Sequence, residues 1–349
     1  MSPLDNPAVP KGSTVLVTGA NGLLGSNIAD QFLEYGYRVR GTVRDTEKNA
    51  WLQTLFDKKY GEGKFELFKV PDLEVEGAFD EAVKDVSIVA HSASIMSFSA
   101  DPNTVIPQAT AFAQNALKSA YKEHSVKRFV LTSSSSAAYV AMPGVPGTEI
   151  TEDSWNELAV KAAWAPPPYT PDRGGIVYAA SKTEAEKAVW KYHQQHRATR
   201  PDLVVNAVLP NFNFGKSLDP VNQQFPSSSG LPVALWQGQV LPMHHMIVPQ
   251  YFINVQDTGR LHVAAAIFDN LKDDRIFGFA GRFSWDEILD ILRKAAPDRK
   301  LPDNFSGGSD PNEIKPRDTA EQLLRDLGHP GWVNLEDTIL ANISDVRNL

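Results

Sequence analysis

The chain has 349 residues, with 34 lysines and arginines against 42 aspartates and glutamates, giving a formal net charge of −8. That length allows two domains or one large α/β domain with an appendage, and the acidic balance speaks against a broad nucleic-acid surface. The complete absence of cysteine excludes disulfides, thiolate nucleophiles, Cys-ligated zinc and iron–sulfur clusters.

The opening residues, MSPLDNPAVPKGS, place Pro and Asp where a leader would need an apolar run. No stretch approaches the roughly 20 apolar residues of a membrane span. The expectation is a cytoplasmic protein with neither a membrane nor a nucleic acid as partner. Oligomeric state leaves no mark in the sequence.

Strand-like and helix-like patterns alternate from the start. The β-branched run Thr14–Thr18 precedes a helical pattern over Leu23–Tyr35, and Tyr37–Val43, Phe65–Val70 and Val86–His91 read as further strands. Thr104–His124 reads as a long helix, Arg128–Thr132 as a strand, Val177–His196 as a helix and Leu203–Leu209 as a strand. Apolar strands alternating with helices predict an α/β fold with a doubly wound parallel sheet. Within it, the insert Val140–Gly175, with its Pro166-Pro167-Pro168 run, is either a lid or pocket wall or a plain surface excursion. After Pro210 the pattern weakens: Pro220–Pro232 and Pro242–Tyr251 read as loops, and Trp285–Ala295 and Thr319–Leu327 as helices of a smaller α-rich region.

Directly after the first strand stands Gly19-Ala20-Asn21-Gly22-Leu23-Leu24-Gly25. Gly19 allows a tight turn, Gly22 lets the backbone approach a pyrophosphate, and Gly25 lets the helix pack closely on the sheet. The phosphates would meet the N–H groups of the helix N-terminus, which makes Asn21, Leu23 and Leu24 part of the same cradle. An NAD site usually adds a carboxylate at the end of the second strand, about 20 residues on. Here that place falls near Val43 and carries no acid, and Arg44 follows it. A guanidinium suits a 2′-phosphate, with Lys48 as a second charge, so the pattern favours NADP(H).

Tyr178-Ala179-Ala180-Ser181-Lys182 puts a phenol and an ammonium on one helix face. A phenol with an ordinary pKa near 10 needs help to exchange protons at neutral pH, and a neighbouring cation would supply it by favouring the phenolate. The preceding strand ends in Thr132-Ser133-Ser134-Ser135-Ser136, so serine hydroxyls leave the C-terminal end of a parallel strand, where α/β sheets bind ligands. His91, at the end of the fourth strand, reads as a packed residue. His244-His245 lacks both the i,i+4 spacing and a third ligand, so no metal site is expected. No G-x-S-x-G elbow of a hydrolase is present.

From Gly12 to about Pro210 the chain resembles the extended or intermediate short-chain dehydrogenase/reductase family, through VLVTGANGLLG, VRGTVRD, VKRFVLTSS, VYAASKTEAE and LPNFNFG. Within it the chain looks most like fungal NADPH-dependent aldehyde/ketone reductases and plant dihydroflavonol reductases. The resemblance implies a Rossmann-like NADP-binding domain over residues 12–210 that carries the catalytic residues. It also implies a substrate-binding region over 211–349, some of whose segments return to the first domain. Tyr178 is implied as the proton donor, Lys182 as its partner and as holder of the nicotinamide ribose, and Asn115 as the holder of a water in the proton path. Ser134 is the implied serine, with Ser133 and Ser135 as neighbouring registers. Family position adds Asp72 and Leu73 at the adenine, Ser92, Ala93 and Ser94 along the cofactor, and Pro210 and Asn211 at the nicotinamide. Phe98, Phe212, Met246, Ile247 and Gln250 are candidate substrate contacts.

The implied reaction is NADPH-dependent reduction of an aldehyde or ketone, and the aromatic and methionine content after residue 210 points to an apolar or aromatic carbonyl compound. Two other readings belong to the same fold: a sugar-nucleotide epimerase or dehydratase, and a regulator that senses NADP(H) without turnover. The Arg44 environment argues against the first, and the Tyr/Lys pair against the second.

Overall fold

The computed structural model describes residues 4–95 and 97–347. In chain order the strands are β1 (Thr14–Thr18), β2 (Arg38–Val43), β3 (Phe65–Lys69), β4 (Ile88–His91), β5 (Arg128–Thr132), β6 (Glu149–Ile150) and β7 (Val204–Pro210). There follow β8 (Phe212–Phe214), β9 (Gln250–Asn254), β10 (Arg275–Gly278), β11 (Gly281–Phe283) and β12 (Glu313–Ile314). The helices are α1 (Leu23–Glu34), α2 (Ala50–Tyr60), α3 (Pro102–Lys122), α4 (Glu157–Ala163), α5 (Gly174–His196) and α6 (Gly230–Trp236). The remainder are α7 (Pro242–Met246), α8 (Val255–Ile267), α9 (Trp285–Ala295), α10 (Arg317–Asp326) and α11 (Leu335–Asn342).

Seven strands pair in parallel in the order β10-β7-β5-β4-β1-β2-β3. The chain winds outward from β1 in one direction through β2 and β3, then restarts at β4 on the other side. This leaves a crevice between the C-terminal ends of β1 and β4, the place where open α/β sheets take ligands. Both faces of the sheet are covered, and the central strand β5 is buried at every position. One face packs Ile28, Ala29 and Phe32 of α1 with Leu261 and Ala264 of α8 and Leu324 of α10. The other packs Ala113, Ala116 and Leu117 of α3 with Ala185 and Val189 of α5.

Local sequence explains where the helices begin. The Asp101 carboxylate accepts the Asn103 N–H at the head of α3, with Pro102 in the first turn, where its missing N–H costs nothing. Ser284 and Glu287 close a reciprocal capping box on α9.

The region after residue 210 is not a separate layer. β10 is an edge strand of the main sheet, and α8 packs on α1 and on the sheet itself. The remainder gathers around an aromatic core in which Phe214, Phe283 and Trp285 lie with ring centroids 5.0–6.0 Å apart. Such pairs contribute about 0.5–1.5 kcal/mol each beyond the area they bury. The two segments read as loops need correction: Pro220–Pro232 runs into α6, and Pro242–Tyr251 contains α7 and the start of β9. Pro242 begins α7 rather than preventing a helix, because proline suits the first helical position. A five-residue helix is too short to show a helical period.

Candidate active site

One long cleft of about 1700 Å³ runs across the C-terminal ends of the strands. At one end lies the turn between β1 and α1. Gly19 has φ +67°, and a Cβ there would stand 3.1 Å from the Ala93 backbone, so two strand-end loops meet where only glycine fits. Gly25 is not part of the cleft wall. A Cβ on it would fall 2.1 Å from the Gly19 carbonyl oxygen, so its task is to seat α1 against the turn. Asn21, Gly22, Leu23 and Leu24 do line the cleft.

Thr18, the last residue of β1, organises the loop after β4. Its hydroxyl accepts the N–H groups of Ser92 and Ala93, both at 3.0 Å, while Ser92 donates back to the Thr18 carbonyl at 2.6 Å. Having accepted twice, that hydroxyl donates its own proton to His91 Nδ1 at 3.0 Å, which leaves the imidazole proton on Nε2. Burial, with the Lys182 ammonium adding to it, pushes His91 down to about 3. It is a neutral packing residue against Phe79 and Phe129.

At the end of β2, Arg44 is exposed and lines the cleft, with no ion-pair partner among the described residues. Lys48 does not join it. Its side chain is 83% exposed and lies 3.8 Å from the Asp45 carboxylate, which also accepts the Lys48 N–H. Lys48 thus lies outside the cleft, beside Asp45. Asp72 and Leu73 line the wall beyond β3, and Asp72 turns its carboxylate onto the Glu74 N–H.

Asn115 also departs from its expected place. It is buried in α3 and donates its amide to the carbonyls of Leu73, Glu74 and Val75, at 3.0, 2.8 and 3.2 Å, and it does not line the cleft. These bonds secure the loop after β3.

Mid-cleft, α5 presents Tyr178 and Lys182 one turn apart. Lys182 donates to the Ser94 hydroxyl at 2.9 Å, and its ammonium lies 5.8 Å from the Tyr178 ring centroid. Burial lowers the ammonium to about 8. Burial also raises the Tyr178 phenol above its ordinary value, and a hydrogen bond with Ser134 pulls it part of the way back. Desolvation outweighs the cation because the ammonium is directed at Ser94 rather than at the phenol oxygen. The result is a phenol that keeps its proton at neutral pH and can donate it.

Of the serine run, Ser134 is the residue whose hydroxyl meets Tyr178, and it also accepts the Ser136 N–H at 3.2 Å. Ser133 points elsewhere, to a buried carboxylate 2.5 Å away on Glu186. Pro210 and Asn211 close the far side of this centre.

The other end of the cleft is apolar. Phe98 stacks at 5.5 Å from the Tyr178 ring, and Phe212, Met246, Ile247 and Gln250 line the wall around it. Sequence reading missed Phe112, Tyr139 and Ile176, which also line the cleft. It also missed Gln223, which donates to the carbonyls of Asn21 and Gly22 and to Ser26, tying a loop from beyond residue 210 to the glycine turn. Nothing in the sequence marks these residues, because ordinary core residues have the same composition and the contacts span some 200 positions.

Residues 15–212 match the NAD dependent epimerase/dehydratase family. The chain belongs to that family. Among its relatives, aldehyde reductase 2 of Sporidiobolus salmonicolor is 41% identical, over 97% of each chain. Ketoreductase nvfG of Aspergillus novofumigatus is 37% identical over 96% of this chain and 97% of its own length. The crystal structure of yeast methylglyoxal/isovaleraldehyde reductase Gre2 complexed with NADPH superposes with a TM-score of 0.80. It is 26% identical, covering 96% of this chain and 98% of the other. Among the described residues, no helix is long and apolar enough to cross a membrane, and no cluster of metal-binding side chains occurs.

Proposed function

We propose that the chain reduces aldehydes and ketones to alcohols with NADPH, Tyr178 giving the proton. The observation that carries this reading is the meeting of Tyr178, Ser134 and Lys182 in one cleft, with Lys182 held by Ser94, together with a bare glycine turn and an unpaired arginine.

The residues fit NADPH. Where a Cβ of Gly22 would stand, the nearest neighbour is the Gly19 carbonyl oxygen of the same turn, at 3.5 Å, so the backbone lies open to a diphosphate. Arg44 offers its guanidinium where a 2′-phosphate would need one. Bound there, NADPH supplies the hydride that the carbonyl carbon accepts. Ser134 and Tyr178 both direct hydroxyls to the carbonyl oxygen and stabilise its developing charge, and Tyr178 passes its proton to that oxygen. Lys182, held by Ser94, keeps a positive charge beneath the phenolate that forms. Phe98, Phe212, Met246 and Ile247 exclude water and favour an apolar or aromatic substrate. The same wall gives a sugar diphosphate little to bind.

The test is NADPH oxidation, followed by its absorbance, with aromatic aldehydes and β-keto esters, in parallel with NADH. Turnover with NADPH and little with NADH is the expected outcome. Cofactor binding with no turnover on any carbonyl would reject the reading and send the assay to sugar nucleotides.

A further inference from the structure

We propose that Glu186 is a positioning residue for this reaction: by holding Ser133, it fixes the turn that carries Ser134 against the helix that carries Tyr178. The inference rests on the reading of Ser134 and Tyr178 as the two hydroxyl donors.

Tyr178, Lys182 and Glu186 fall at successive turns on one stripe of α5. The first two face the cleft, and Glu186 lies about 12 Å along the axis from Tyr178 and about 6 Å from Lys182, fully buried. Its charge is met without help from Ser133. Arg275 Nε, at the start of β10, donates to Oε1 at 2.7 Å, and the Trp190 indole donates to the same oxygen at 3.0 Å. Arg275 is held in turn, donating to the carbonyls of Glu152 and Ser154 with its guanidinium 3.9 Å from the Trp155 ring centroid. The carboxylate is therefore a fixed point, anchored from β10 and from the segment before α4.

To that fixed point Ser133 donates its hydroxyl at 2.5 Å, onto Oε2. The Ser133 N–H continues the β5 ladder to the Val208 carbonyl at 2.9 Å, and one residue later the backbone is still extended, with Ser134 at φ −159° and ψ 151°. The chain then turns away through Ser135–Ala137. Ser134 thus lies between a side-chain tether on one side and a short turn on the other. Two hydroxyls from different elements must converge on one carbonyl oxygen, and errors well below 1 Å matter for such convergence. The Ser133–Glu186 bond sets the strand end against the helix at that spot.

The experiment compares Ser133→Ala, Ser133→Thr and Glu186→Gln with Tyr178→Phe in the full-length protein. It measures kcat, KM, NADPH affinity and the pH dependence of alcohol oxidation. Ser133→Ala is expected to lower kcat about tenfold with NADPH affinity close to wild type, and to lower the thermal midpoint as the buried Oε2 loses its shortest donor. Ser133→Thr, which keeps the hydroxyl, restores most of it. Alcohol oxidation gains activity as Tyr178 loses its proton. Weaker donation from Ser134 to the phenolate therefore moves that midpoint upward, by about half a pH unit. Glu186→Gln moves kcat and the midpoint in the same directions, with a loss of stability as Arg275 loses its counter-charge. Ser133→Ala with wild-type kcat and midpoint, beside an inactive Tyr178→Phe, would overturn the positioning role alone. So would a lower kcat that Thr does not rescue and that leaves the midpoint in place. An active Tyr178→Phe would overturn the catalytic reading beneath it.

Discussion

The end of the cleft beside β1, β2 and β4 is built from backbone and short side chains, whereas the end beside Phe98, Phe212 and Met246 is built from long apolar side chains on short elements. In the first, position is everything. Gly19 touches Ala93, Thr18 accepts two N–H groups, and Gly25 has no room for a methyl group. In the second, shape and polarity matter more than any single atom, and Met246 is 56% exposed. The contrast teaches that one fold can hold a constant reagent rigidly and a variable one loosely within a single cavity. Gln223 links the two ends by reaching from the second region to the carbonyls of the first.

The comparison can be broken first at the hydrogen bonds that hold the rigid end. Thr18 and Thr132, which end β1 and β5, each hydrogen-bond a buried neutral histidine, His91 and His262. Burial lowers His262 to about 4 and His91 to about 3, against an ordinary 6.5. The unfolded chain therefore takes up these protons at higher pH than the folded one. The stability from both residues is complete above about pH 6.5 and is lost as pH falls, toward about 4 for His262 and about 3 for His91. The urea midpoint should drop across that window, and less steeply in His262→Gln. Equal slopes in the two proteins would remove His262 from the account.

The next largest effect concerns cofactor choice. Arg44→Asp removes a charge-assisted contact of about 1.5–3 kcal/mol and sets a carboxylate in its place, so the NADPH/NADH preference in kcat/KM should fall about 10- to 100-fold. An unchanged ratio would mean that the guanidinium meets no phosphate. Met246→Ala, at the loose end, should raise the KM for a bulky aromatic aldehyde only about threefold, with kcat nearly constant, as expected for uniform binding. A large fall in kcat there would show that the apolar wall is as exacting as the glycine turn.

The same contrast explains what could be read in advance. β1, α1, β5 and the helix of Tyr178 announce themselves through β-branched runs, glycine spacing and an i,i+4 pair, all local in sequence. Their alternation predicts a parallel, doubly wound sheet. Gln223, Tyr139 and the Glu186–Ser133 bond depend on contacts between distant segments, which no local pattern records. Lys48 and Asn115 show the converse: each has the right residue type near the right place, but Lys48 stands beside Asp45 outside the cleft and Asn115 bonds the carbonyls after β3. For Tyr178, a one-turn spacing fixes proximity to Lys182 without showing that the ammonium is directed at Ser94.

The central claim is that the Tyr178 phenol delivers the proton in a site that binds NADPH independently of it. Tyr178→Phe deletes one oxygen, so the most direct measurement is its turnover with NADPH and an aromatic aldehyde, beside NADPH affinity measured by fluorescence. The account predicts a fall in turnover of about 10²- to 10⁴-fold with affinity nearly unchanged. Wild-type turnover by the phenylalanine variant would contradict it.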